Sequence, residues 1–341
     1  MAPLISIFAL ILNLPAHVVR RPLAAGLVAV STLGLAATAH GQGRHDSVPA
    51  NAPGRAESKP IEVKQITSDV YFFYDNAGSN SAFLVTDEGV LVIDSRIHPR
   101  LGDELIAHIR KVTDKPIKWL ITTHFHGDHH FGNSAFKAAG ATLVAHKETA
   151  RLMQHLQPKE IARRSAGLKK AGFDPAEVKL VLPDVTFDSE MTIRLGGREV
   201  RLMYLGPAQQ EGDTFIHIPH AKVLFTTGAF ARRSMPNMIF TTSIDNWIKV
   251  LETLAVMPDV EHVLPGHDEV ATPADIKEVA AMISEQYSAV KEAIAQGLSA
   301  DEAAKKLTFP KYKAWRNYYR LEDAIRGIYE LVKDRRRAYL E

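Results

Sequence analysis

The stretch Thr123-His124-Phe125-His126-Gly127-Asp128-His129-His130 constrains this chain more than any other segment. Four histidines and a carboxylate fall within seven consecutive residues, directly after the apolar run Trp119-Leu120-Ile121. Neutral imidazole and carboxylate are ligands that zinc, iron and manganese take, so the cluster reads as a transition-metal site. Spacing adds geometry. Side chains alternate faces along a strand, which aims His124 and His126 the same way. Gly127 then lets the chain turn, aiming Asp128 and His129 at a second, nearby point. Two metals side by side sharing an activated water suit that arrangement. A histidine-rich surface loop or a tag fits poorly, because the cluster is internal, holds Asp and Gly, and follows a strand of buried character.

The pattern His-x-His-x-Asp-His resembles the metallo-β-lactamase superfamily, and further motifs follow in that family's order. Residues 78–94, closing on Asp94, resemble its first hairpin. Leu205-Gly206-Pro207-Ala208-Gln209-Gln210-Glu211-Gly212-Asp213-Thr214 stands where the family carries Gly-x-x-His-Thr-x-Gly-Asp. Residues 223–230 are similar to a strand that normally ends in Gly-Asp, and Leu264-Pro265-Gly266-His267 resembles the final ligand motif. The resemblance covers about residues 60–290. It implies an α/β fold, a four-layer αββα sandwich, here with a C-terminal helical extension.

Two positions depart from the family pattern. Gln209 replaces the usual third histidine of the first metal site, and Gly228 replaces the bridging aspartate. Carried over, the resemblance gives a full second set, Asp128, His129 and His267, and a first set of His124, His126 and Gln209. A glutamine carbonyl is a neutral, weaker donor, so zinc is expected at one firm site and one weaker site. Family members acting as glyoxalase-type thioesterases, phosphodiesterases or sulfur dioxygenases use the aspartate that Gly228 lacks. The remaining Asp-His-His set is similar to that of the subclass B3 β-lactamases. Losing an anion leaves more positive charge on the metal, which makes its water more acidic but weakens metal affinity.

Asp128 is the expected catalytic residue, as ligand and proton acceptor. Asp94 is expected to orient a ligating histidine, Asp213 to pin the loop carrying Gln209, and His130 to be a spectator. His217 and His220 fall on or beyond the next strand, away from the ligand loop. Met235, Asn237 and Met238 are expected near the pocket mouth.

The chain has 341 residues, 46% of them hydrophobic, enough for a sizeable core. It is expected to divide into a signal peptide (1–39), a disordered linker (40–60), a catalytic domain (61–272) and the helical extension (273–341). Arg20-Arg21 precede the apolar residues 23–37, and Ala37-Thr38-Ala39 has the small-x-small form of a cleavage site. A further apolar stretch, residues 4–14, comes before them. Residues 23–37 are short for a membrane span, so no stable membrane anchor is expected and the protein is read as periplasmic or secreted. The chain has no cysteine, which removes thiolate ligands, disulfides and a cysteine nucleophile.

The net charge of +2 gives no reason to expect an acidic polymer as partner. Arg163-Arg164, Lys169-Lys170 and Arg335-Arg336-Arg337 read as solvated helix faces. Residues 309–320 mix aromatics with cations, and are read as a helical segment laid over the main domain rather than as a nucleic-acid surface. A small-molecule substrate is therefore expected, and nothing in the sequence sets an oligomeric state.

Strands are expected at 70–74, 82–86, 89–93, 115–123 and 141–145, with a hairpin over 185–205 turning at Gly196-Gly197. A loop and helix are expected over 95–112, the start of a helix over 135–139, and helices over 147–180, 244–257 and 273–296. The leading functional expectation is an exported zinc-dependent hydrolase in which metal-bound hydroxide cleaves an ester, lactone or amide carbonyl. A B3-like β-lactamase and a non-catalytic binding protein on a degenerate fold are the alternatives.

Overall fold

The computed structural model describes residues 61–74, 79–238 and 240–333. The leader and linker readings (residues 1–60) and the Arg335-Arg336-Arg337 run lie outside the described residues.

The first half of the chain builds a seven-stranded sheet in sequence order. Its strands are β1 (Glu62–Gln65), β2 (Val70–Tyr74), β3 (Ser81–Val85), β4 (Val90–Ile93), β5 (Ile117–Thr122), β6 (Thr142–His146) and β7 (Val185–Phe187). β1 to β4 form an antiparallel meander. From β4 to β7 the pairing is parallel, which demands crossovers. Helices α1 (Pro99–Val112), α2 (Gly127–His130), α3 (Asn133–Ala138) and α4 (Lys147–Lys170) supply them.

The second sheet is ordered β12-β11-β10-β9-β8. It contains β8 (Glu190–Leu195), β9 (Arg198–Met203), β10 (Phe215–Ile218), β11 (Val223–Phe225) and β12 (His262–Leu264). Helices α5 (Ile244–Ala255), α6 (Pro273–Ala295), α7 (Ala300–Lys306) and α8 (Leu321–Val332) complete the chain.

Strand alternation explains the layering. Ile93, Ile121 and Val144 face Ile216, Phe225 and Leu264 in a core between the sheets. Their neighbours Val92, Leu120 and Leu143 point the other way, onto Leu105, Ile109 and Phe136 of α1 and α3. On the far side, Phe215, Leu224 and Val263 pack against Trp247, Leu251, Ile276, Ile283 and Ile325. The result is the αββα sandwich, with α6 and α8 sharing the core of the second sheet.

Two segments differ from the sequence expectation. The helix expected over 147–180 stops at Lys170, because Gly172 takes a left-handed φ of +82° and Pro175 follows. Residues 309–320 form two 3₁₀ turns, Pro310–Tyr312 and Tyr318–Arg320, separated by Asn317 at φ +57°. Among the described residues, no helix is long and apolar enough to cross a membrane.

Candidate metal centre

The site lies where strands end. Asp94 follows β4, residues 123–130 follow β5, Gln209 sits between β9 and β10, Gly228 follows β11 and His267 follows β12. In open α/β sheets the carboxyl ends of strands are the usual place for ligands.

Beyond β5 the chain bends at His124 and Phe125, and His124 and His126 come together with ring centroids 4.8 Å apart. Phe125 points away, into a cluster with Leu152, Met153, Leu156 and Phe240. Gly127 then opens α2, where a Cβ would lie 2.3 Å from the Phe131 ring. Only glycine fits that turn. Ser79 Oγ donates to the Asp128 carbonyl and Ser95 N donates to the His129 carbonyl at 2.8 Å, fixing the turn from the other strands.

That turn brings Asp128 and His129 up to His267. His129 Nε2 lies 3.2 Å from His267 Nε2, and Asp128 Oδ2 lies 3.3 Å from His267 Nε2 and 3.6 Å from His129 Nε2. Tetrahedral zinc, with bonds of about 2.0–2.1 Å, sets its ligand atoms about 3.3–3.4 Å apart. The triangle fits a metal ion by size and by donor type.

Asp94 orients His129. His129 Nδ1–H donates to Asp94 Oδ2 at 2.6 Å, which leaves the Nε2 lone pair facing the triangle. Asp94 itself accepts from Thr123 N and Thr123 Oγ1, both at 2.8 Å. Burial pushes the Asp94 carboxyl up to about 7. Burial also drives the His129 imidazole down to about 3, so the ring is neutral at neutral pH. For Asp128, burial opposes ionisation, but Arg164, His129 and His267 outweigh it and hold the carboxyl well below its usual range.

The other group is built from orphaned acceptors. His124 Nε2, His126 Nε2 and Gln209 Oε1 are buried without a hydrogen-bond partner. Burial holds both imidazoles well below their usual range, hence neutral. His124 Nδ1 is taken by Thr123 Oγ1 at 2.9 Å, which leaves Nε2 as the free nitrogen. The Gln209 carboxamide donates through Nε2 to the Asn237 carbonyl at 3.4 Å, turning Oε1 inward.

A Cβ on Gly228 would meet Gln209 Oε1 at 2.6 Å and His124 Nε2 at 3.2 Å. Both orphans therefore border one small space, and an unpaired buried acceptor is costly without a cation or donor. Donor chemistry fits a metal here too, with one neutral oxygen in place of a nitrogen. Asp213 ties this loop down: its Oδ2 accepts from Gln210 N at 3.0 Å and its Oδ1 from Thr227 Oγ1 at 3.3 Å.

Several expectations are corrected. Arg163 and Arg164 are not a solvated face; their side chains are 19% and 17% exposed. Arg164 Nη2 pairs with Asp128 Oδ1, and both arginines pair with the buried Glu160. Sequence reasoning missed these two residues as parts of the site; a carboxylate three and four positions before paired arginines was the available signal. His130 joins neither candidate metal group, as expected; its buried ring bonds the Phe125 carbonyl at 2.9 Å. Met235 and Met238 are buried in the core rather than at a mouth. His220 pairs with Asp69 at 2.9 Å, and neither it nor His217 joins the candidate metal groups.

Known proteins resemble this chain in sequence and in fold. The family model described as the metallo-beta-lactamase superfamily matches residues 75–267. A linear primary-alkylsulfatase from Pseudomonas sp. (strain ATCC 19151) is 23% identical over 288 residues, covering 71% of this chain and 53% of that protein. A metallo-beta-lactamase type 2 from Elizabethkingia meningoseptica is 23% identical over 245 residues, covering 69% of this chain and 89% of the relative.

Among solved structures, a metallo-beta-lactamase from Pontibacter korlensis superposes with a TM-score of 0.54 at 20% identity, covering 66% of this chain and 99% of the other. An inverting sec-alkylsulfatase from Pseudomonas sp. superposes with a TM-score of 0.68 at 16% identity, covering 79% of this chain and 50% of the other. The chain thus spans about half the length of the alkylsulfatases it matches. With the family model spanning both ligand motifs and the sandwich between them, the chain belongs to the metallo-beta-lactamase superfamily.

Proposed function

We propose that this protein is a zinc-dependent hydrolase that cleaves an ester, lactone or amide carbonyl in a small molecule. In this reading Asp128, His129 and His267 hold zinc firmly, and His124, His126 and Gln209 form a weaker second site. The carrying observation is the Asp128–His129–His267 triangle, with edges of 3.2 to 3.6 Å and a neutral, Asp94-oriented imidazole at one corner. Zinc bound there would supply a Lewis acid and make a coordinated water acidic enough to react near neutral pH.

The chain's own residues do the rest. Asp128 offers Oδ2 to the triangle, and that ionised oxygen also accepts a hydrogen bond from the attacking water; with its carboxyl held well below its usual range, Asp128 orients that water. Asp94 fixes the His129 tautomer. His124 and His129 are wholly buried, and a low-dielectric surrounding strengthens the charge interactions they take part in. The enzymes named among the relatives, alkylsulfatases and metallo-beta-lactamases, support hydrolysis as the reaction class. Gly228, which leaves no bridging carboxylate, favours β-lactam hydrolysis as the second reading. The leader-like residues 1–39 support a periplasmic or secreted location.

The test is a panel of β-lactams, lactones, aryl esters and an alkyl sulfate, assayed with zinc-loaded protein. Activity on at least one class is expected. Asp128→Ala should lower it by about 10²–10⁴-fold with the fold intact by circular dichroism. Full activity in Asp128→Ala would sink the mechanism. A wild type inert across the panel would shift the reading to a binding protein.

A further inference from the structure

We propose that Arg164 is a positioning residue for Asp128: its guanidinium takes Oδ1 of that carboxylate and keeps Oδ2 turned toward His129 and His267. The inference rests on the reading of Asp128 as a metal ligand.

Arg164 reaches the site from α4 and is held at both ends. Its Nη2 meets Asp128 Oδ1, and its Nε lies 3.1 Å from Glu160 Oε2. Glu160 is a firm anchor. Its side chain is wholly buried, takes Arg163 through two contacts of 2.8 Å, and accepts from Gly127 N at 3.3 Å. One carboxylate on the helix therefore grips the metal loop one residue before Asp128 and, through Arg164, grips Asp128 itself. An Asp side chain left alone rotates about its Cβ–Cγ bond and shares both oxygens between the site and other donors. With Oδ1 committed to a planar guanidinium, a single oxygen is presented to the two imidazoles.

A guanidinium beside a cation site also repels the cation. Glu160, in contact with the same guanidinium, offsets much of that repulsion, which leaves the directional hydrogen bond as the larger effect. Partners that orient a metal ligand typically change metal affinity by about 10–100-fold when removed.

The experiment measures zinc affinity of the full chain by competition with a chromogenic chelator. Arg164→Ala should weaken the tight zinc by about 10–100-fold. Arg151→Ala is the comparison, since it removes another α4 ion pair, to Glu148 and Glu211, without touching Asp128. It should stay within about threefold of wild type on the same scale. If Arg164→Ala does not fold, Arg164→Lys carries the test. A single ammonium does not span Glu160 and Asp128 together, so a loss in the same direction is expected.

Zinc held as tightly or more tightly in the Arg164 variants would overturn the proposal, because repulsion would then be all that Arg164 contributes. Equal losses in the Arg151 and Arg164 variants would overturn it as well, pointing to general loosening of α4. A wild type that takes up no zinc would defeat the underlying metal reading, and this inference with it.

Discussion

Gln209 and Gly228 act as a pair at the scale of single residues. A side chain at position 228 needs the space that Gln209 Oε1 now borders, at 2.6 Å from a Cβ. Gln209→His should strengthen the first site, because imidazole replaces a neutral amide oxygen. Gly228→Asp alone should gain little, since the carboxylate arrives against Gln209. The double variant should gain more metal than the two single changes added together. Metal content of each variant after identical dialysis checks this, and Gln209→His with unchanged content would show that another residue already completes the site.

The histidines and Asp128 were legible in the sequence because the motif is local. Asp94 was legible as the carboxylate ending the preceding parallel strand. Arg164 was not. Its partner lies 36 positions upstream, and helical spacing tells which residues share a face but not what that face covers. The bond from His130 to the Phe125 carbonyl was likewise invisible, since it exists only once α2 has turned.

At the scale of elements, α4 is where the structure adds most to the sequence. Its charged composition suggested a solvated helix, yet Leu152, Met153 and Leu156 bury against Phe125 and Phe240. Glu160 is wholly buried beneath its arginines. Burial opposes ionisation of Glu160, and the Arg163 and Arg164 pairs outweigh it, holding the carboxyl at about 2. A folded value below the unfolded one means stability that is fully present above pH ~4.5 and lost as pH falls toward 2.

Glu160→Gln should therefore be less stable than wild type at pH 7, by on the order of 3 kcal/mol, and melt at a lower temperature. The gap between the two proteins should shrink as pH drops from about 5 to about 2. Melting temperatures of both proteins across that range are the measurement, and a pH-independent gap would count against the ion-pair account. The end of α4 was less legible than its start. Gly172 at φ +82° stops the helix, where charge and apolar spacing alone had carried it on to residue 180.

Over the whole molecule, two sheets and their outer helices hold five separate chain segments at one end of the sandwich. The layering was read from the family resemblance; the structure gives its physical basis, since side chains along strands such as β4 and β11 alternate between the core on one face of their sheet and the core on the other. The role of the C-terminal helices was less legible. Ile276, Ile283 and Ile325 look like any amphipathic stripe, yet they close the same core as Phe215 and Leu224. Arg316, between the two 3₁₀ turns, pairs with Asp268, the residue after His267. The far end of the chain thus bears on the last candidate ligand.

The central claim is that one metal is held tightly by Asp128, His129 and His267 while the group with Gln209 holds a second only weakly. Metal content of exhaustively dialysed protein tests it most directly, in the wild type and in Asp128→Ala. The account expects the wild type to keep close to one equivalent of metal, and Asp128→Ala to lose it. Two equally tight metals in the wild type, or a full equivalent retained by Asp128→Ala, would contradict it.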